Sequence, residues 1–169
     1  MTSIRGGVRI ALLPLMLAAT PLAAAPVDPT SFAAAPDVQA QVAAMERAMK
    51  PGQGFAWQPL VRQGETVAGL EIWKKPGKPA VHPTDAEYTI VIAGAGTLVS
   101  GGTLADATVT TPDLTEGSRI DGGRSRALAP GDVILIPAGT PHWFGITGDR
   151  LVLLGIKIAT PQRAQATAR

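Results

Sequence analysis

The sequence predicts an all-β protein, a single barrel preceded by a short helix. Three observations predict it. From residue 55 onward the apolar residues fall in short runs rich in Val, Ile and Leu. Gly and Pro punctuate those runs at Gly64, Pro76-Gly77, Gly94, Gly101-Gly102, Gly122-Gly123, Pro130-Gly131 and Ala138-Gly139. Two runs, VILI (133–136) and RLVLLGIKI (150–158), are apolar on both faces, which suits central strands of a closed or two-layered structure. A chain of 169 residues is long enough for one domain with a real core. Its 46% apolar and 17% charged residues exclude a disordered polyelectrolyte.

Residues 1–25 carry Arg5 and Arg9, then an apolar run, then a small-residue end at Ala23 to Ala25. That order predicts a secretory signal peptide. An uncleaved anchor is the rival reading. The apolar stretch contains Pro14 and Pro21 and is short for a span that needs about 20 residues. The expected address is the bacterial periplasm or the outside, with no stable membrane insertion after cleavage. The formal net charge of +2 equals the two cations of this leader, and the remaining charges balance. Nothing in the charge points to nucleic acid. The chain has no cysteine, which excludes a disulfide framework, a thiolate zinc site and a cysteine nucleophile.

Residues 26–54 read as a linker followed by a short helix. Pro and Ala dominate 26–36. Asp37 is the expected N-cap of a helix over 38–50, where Val38, Val42, Met45 and Met49 recur at helical spacing. That stripe predicts packing against the body or a second subunit. Pro51-Gly52 ends it. The barrel is expected over 55–158, with strands at 55–61, 66–74, 87–92, 96–100, 126–129, 132–137, 142–146 and 151–158. The stretch 95–130 is rich in Thr, Gly and Asp and predicts an extended hairpin or loop at one end. Residues 159–169 form a tail.

Two segments carry the chemistry: HPTDAEYTIVIAG (82–94) and GDVILIPAGTPHWFGI (131–146). They hold the chain's only two histidines, His82 and His142, and the carboxylate Glu87. Strand alternation lets a residue at one strand end and another inside the next strand converge on one point. Two neutral imidazoles and one carboxylate, with positions left open, make a facial-triad ligand set. The rival reading is a polar pair of histidines that hydrogen-bonds a substrate or a water. Asp85 is the rival carboxylate, expected as a turn-forming residue. Phe144 shares the parity of His142 and is expected to line the pocket, with Trp143 outside or at a subunit contact. Trp57 and Trp73 are expected in the core. Lys74, Lys75 and Lys78 flank Pro76-Gly77 and are expected as a solvated turn.

The two segments resemble the paired motifs of the cupin superfamily, G(X)5HXH(X)3-4E(X)6G and G(X)5PXG(X)2H(X)3N. His82, Glu87 and Gly94 stand at the first motif's intervals, and Gly131, Pro137, Gly139 and His142 at the second's. The first histidine of HXH is replaced by Ala80, the opening glycine by Lys74 and the final asparagine by Ile146. The resemblance covers roughly 55–158. It implies a jelly-roll barrel, also described as a double-stranded β-helix, and a homodimer. It implies that His82, Glu87 and His142 ligate a divalent first-row ion (Fe, Mn, Ni, Cu or Zn), with Glu87 able to act as base once displaced.

The expected function is an exported metal-binding cupin acting on a small organic molecule by oxygenase, isomerase, decarboxylase or lyase chemistry. The alternative is a metal-free periplasmic module that binds a small ligand, such as a sugar or an aromatic acid. Imidazole must be neutral to ligate, so metal affinity is expected to weaken below about pH 6.5.

Overall fold

Two long strands organise the protein. The computed structural model describes residues 28–160, so the leader (1–25) and the tail from 161 onward lie outside the described residues. Every element named below lies after residue 30. The first long strand, β4, runs over Asp85–Ser100, and the second, β11, over His142–Ala159. They pair antiparallel along almost their whole length, from His142↔Ser100 to Ala159↔Asp85. Sequence reading cuts each of them in two, at Gly94 and at residues 147–150. Both sites are irregularities inside a continuous pair, where the register shifts between Ile146 and Leu151. Gly94 has φ +80°, and a Cβ there would sit 2.1 Å from the Arg150 carbonyl oxygen. Only glycine lets the two strands approach so closely while β4 bends.

The other strands attach to this pair. β1 (Phe55–Gln63) pairs with β2 (Thr66–Trp73), and β2 pairs with the C-terminal half of β11. β3 (Ala80–Val81) touches the start of β11 through His142↔Ala80. The excursion between the two halves is more structured than a loop. It contains β5 (Thr103–Ala105), β6 (Thr108–Thr111), β7 (Leu114–Glu116) and β8 (Arg119–Asp121). β6 and β7 extend the main sheet from β3, whereas β5 and β8 form a separate ribbon. β9 (Arg124–Leu128) covers the C-terminal half of β4, and β10 (Val133–Ile136) its N-terminal half. The result is the predicted all-β jelly-roll architecture with one helix, and among the described residues the sheets do not close into a ring.

Alternation assigns the two faces. Val91, Leu98, Leu128, Ile136, Phe144, Leu151 and Leu153 form the core between the layers. Leu70, Ile72 and Val152 point the other way, onto α1 (Ala35–Ala48), where they meet Val42 and Met45. On β2 and β11, the residues between those helix-facing positions, Glu71, Trp73 and Leu153, therefore face inward. The helix begins three residues before the predicted start at 38. Asp37 is not its N-cap. Ala34 holds that place, and the Asp37 carboxylate accepts the Ala34 backbone N–H at 3.2 Å. Pro36 is tolerated in the first turn because the N–H it lacks has no helical partner there.

Two further expectations need correction. VILI is not a central strand: β10 pairs with β4 alone, and Val133 and Leu135 are 59% and 61% exposed. An apolar run on both faces does not by itself decide edge from centre. Trp57 is not in the core either, being 46% exposed. It lies on the bare backbone of Gly69, where a Cβ would meet the indole nitrogen at 2.4 Å.

Candidate metal centre

His82, Glu87 and His142 come together at one point. Each offers one ligating atom, and those atoms lie within 4.8 Å of one another. Glu87 Oε2 is 3.5 Å from His82 Nε2 and 3.4 Å from His142 Nε2. Donors held at about 2.1 Å from one ion, at angles of roughly 90–109°, sit about 3.0–3.4 Å apart. The observed spacings are close to that. All three side chains are buried.

Each side chain is aimed by a specific local device. Glu87 lies on β4 with the same parity as Thr89 and Val91, so it faces the interior. Thr89, fully buried, donates its hydroxyl to Glu87 Oε1 at 3.1 Å and leaves Oε2 for the histidines. His142 opens β11 directly after the corner 137–141, and its Nδ1 donates to the Thr140 carbonyl at 3.0 Å. His82 follows β3, and its Nδ1 lies 2.9 Å from the Asp113 carbonyl, in the turn between β6 and β7. The corner and His82 are tied together: the Gly139 N–H donates to the His82 carbonyl at 2.8 Å. Both imidazoles thus carry a proton on Nδ1 bonded to a backbone carbonyl and turn Nε2 to the centre, where it offers a lone pair to an ion whenever the ring is neutral. That is the outer support a metal-ligating histidine requires. The excursion 101–125 takes part in the site through Asp113.

Charge agrees with geometry. Burial pushes the Glu87 carboxyl up, but the His142 hydrogen bond and the charges of His142, His82 and Lys157 outweigh it and hold it below the usual range. Burial pulls His142 down, yet the hydrogen bond and charge of Glu87 prevail and hold it above the usual imidazole value. His82 is lowered, chiefly by burial. The donor set is therefore one ionised carboxylate and two imidazoles that share one strongly favourable partner.

Residues that motif reading passed over surround the centre. Glu71, facing inward on β2, accepts the Trp73 indole N–H at 2.8 Å. Burial first, and then the charge of Glu87, push its carboxyl up to about 7. Lys157 is the direct partner of Glu87 across β4 and β11, and its Nζ lies 3.3 Å from His82 Nδ1. No short motif marks either residue; only the strand register brings them in. Asp85 opens β4 opposite Ala159 and is not in the three-residue group. Phe144 is buried, with its ring centroid 6.1 Å from that of His142. Trp143 donates its indole N–H to the Gly77 carbonyl on the other face. Lys78 pairs with Glu116 at 3.1 Å in solvent.

A cavity of about 410 Å³ reaches Glu87 and is lined also by Glu71, Lys157, Phe55 and Trp57. A larger one of about 940 Å³, beside Trp143 and Arg119, touches none of the three converging residues. The smaller cavity meets the site through Glu87 alone of the three, and neither histidine lines it.

Comparison with known proteins follows the same line. No curated protein matches the chain. Among solved structures, the protein TT1209 of Thermus thermophilus aligns with a TM-score of 0.48 and 18% identity, over 69% of this chain and 94% of that one. A cupin-2 domain protein of Rhodospirillum rubrum, Rru_A2000, gives 0.46 and 16%, over 62% and 60%. A recombinant oxalate oxidase in complex with glycolate gives 0.48 and 15%, over 68% of this chain and 57% of its own. The family model described as Cupin matches residues 77–169. That match runs over more than half of the sequence, from the turn ahead of β3 through the whole of β11, and it shows that the chain belongs to the cupin family.

Proposed function

We propose that the protein is an exported cupin that holds one divalent first-row ion on His82, Glu87 and His142 and acts there on a small organic molecule. The observation that carries this reading is the pair of imidazoles whose Nδ1 atoms are bonded to the Asp113 and Thr140 carbonyls while both Nε2 atoms face Glu87 Oε2. Two imidazole nitrogens and one carboxylate favour Fe, Mn, Ni, Cu or Zn over calcium or magnesium. A bound ion would supply Lewis acidity and open positions for ligand oxygens. The chain's own residues do the rest. Thr89 fixes the Glu87 rotamer, the two carbonyls fix the imidazole tautomers, and Phe55 and Trp57 give the cavity an apolar wall.

Export rests on the composition of residues 1–25, and the address is the periplasm or the outside. Among the described residues no helix is long and apolar enough to cross a membrane. A homodimer belongs to this reading, supported by the exposed apolar pair Val133 and Leu135 on the open side of β10.

Elemental mass spectrometry of protein purified from the periplasm tests the metal. Near-stoichiometric metal is expected, with a sharp fall in His82→Ala and His142→Ala. Wild-type protein that takes up none of the five ions at micromolar concentration overturns the reading. One observation favours a metal-free binding module instead: Ala80 stands opposite His142, where the family motif has a further histidine. Such a module would bind its ligand equally well in the presence of a chelator.

A further inference from the structure

The proposed metal centre has a cation beside it, Lys157, which is exposed and has no ion-pair partner among the described residues. Lys157 shares the inward parity of Leu151 and Leu153 on β11 and lines the cavity that reaches Glu87. No carboxylate of the described residues lies within ion-pair distance of its Nζ. Its near polar neighbour is His82 Nδ1 at 3.3 Å. That nitrogen cannot serve two partners. When His82 offers the lone pair of Nε2 to an ion, Nδ1 must carry the proton, which goes to the Asp113 carbonyl. The ammonium of Lys157 then faces a second donor there, and its acceptor is solvent or a ligand. The histidine tautomer that ligates a metal is thus the one that frees Lys157.

We propose that Lys157 is the residue that selects the ligand, and that the ligand is a small monocarboxylate carrying a second oxygen donor next to its carboxyl group, a 2-hydroxy or 2-oxo acid. The assignment rests on the metal reading above. One oxygen of such a molecule reaches the ion while its carboxylate meets Lys157. Three features limit the class. A volume of about 410 Å³ suits a small molecule. Phe55 and Trp57 accept a short apolar body. Lys157 is the one cation of the lining and can pair with one carboxylate, while the acidic neighbours Glu65, Glu71 and Glu87 disfavour polyanions such as phosphate esters.

The test is calorimetric titration of manganese-loaded protein with lactate and with lactamide, which keeps the shape and the hydroxyl but lacks the charge. Metal content is measured on the same samples. Wild type is expected to prefer lactate by about tenfold or more, the scale of one charge-assisted hydrogen bond. Lys157→Met is expected to retain its manganese and lose most of that preference. Lys157→Arg, which keeps the charge, is expected to retain it. A Lys157→Met protein that still prefers lactate by the wild-type factor overturns the proposal, and so does a wild type that binds the two equally or not at all. Where wild type holds no manganese, the titrations are run with whichever of the other four ions it takes up, and a wild type that holds none of the five overturns the metal reading instead. The same titrations without the ion then decide the lysine, since a lactate preference that depends on Lys157 supports it and one that does not overturns it.

Discussion

Ala80 and His142 are direct partners across the β3–β11 pair. Residues paired directly in an antiparallel ladder project to the same face, with Cβ atoms about 5 Å apart. The Ala80 methyl group therefore points to the side from which His142 reaches the centre. A histidine in its place would bring a third imidazole to the group. Ala80→His is expected to bind divalent metal more tightly than wild type in a competition titration with a chromophoric chelator. Equal or weaker binding would show that position 80 does not look into the centre.

Thr89 is a buried hydroxyl whose hydrogen bond within the site is to Glu87 Oε1. Valine has nearly its shape but cannot donate. Thr89→Val leaves a buried carboxylate oxygen without its partner, at a cost of about 1–3 kcal/mol in metal-free protein. It also frees Glu87 to rotate, and metal affinity is expected to fall by about tenfold or more. Thr89→Ser should restore both. Urea denaturation and metal titration of the three proteins check this, and a Thr89→Val protein that matches wild type in both would refute it.

The strands were legible where Gly and Pro interrupt apolar runs, because few residues tolerate the φ values that turns demand. The same signal misled at Gly94. Its positive φ serves a bend inside β4, and a local sequence window cannot tell a bend from a stop. The excursion 101–125 hid its short strands, since runs of three or four residues such as β5 and β7 carry too little periodicity to show. Within the site, His82, Glu87 and His142 stood out because imidazole is scarce in this chain and the motif spacing singles out all three. Glu71, Thr89 and Lys157 did not. A charged or hydroxyl side chain on a strand is ordinary until pairing is known. It takes the register Lys157↔Glu87, and the inward parity of β2, to bring them to the centre.

Protons and metal compete at His142. Its imidazole is held above the ordinary value of 6.5 because, although burial opposes the charge, Glu87 favours it more strongly. His82 is held below 6.5, chiefly by burial, and so gives up its proton at lower pH than His142. Glu87 is held below 4.5 and remains ionised. One proton therefore leaves His142 as an ion binds, and affinity should fall by about tenfold per pH unit below the His142 value. The weakening begins above pH 6.5, higher than an unperturbed imidazole predicts. Metal titrations in several buffers between pH 5 and 8 would report both the slope and the number of protons released. A flat profile would remove His142 from the ligand set.

Glu71 gives a stability effect of opposite sense to that of most carboxylates. Burial above all, together with the charge of Glu87, raises its folded-state value from 4.5 to about 7. The folded protein thus holds this proton more tightly than the unfolded chain. Below pH 4.5 the group is protonated in both states and costs nothing. As pH rises, the unfolded chain ionises first, and the folded state loses relative stability until about pH 7, above which the cost is constant. Glu71→Gln removes the titration and keeps an oxygen that can accept the Trp73 indole N–H. In chelator-treated protein it is expected to raise stability at pH 8, by as much as ~3 kcal/mol, and to change it little at pH 4. Denaturant unfolding at the two pH values measures the difference. An equal effect at both would mean that Glu71 acts through packing and not through its charge.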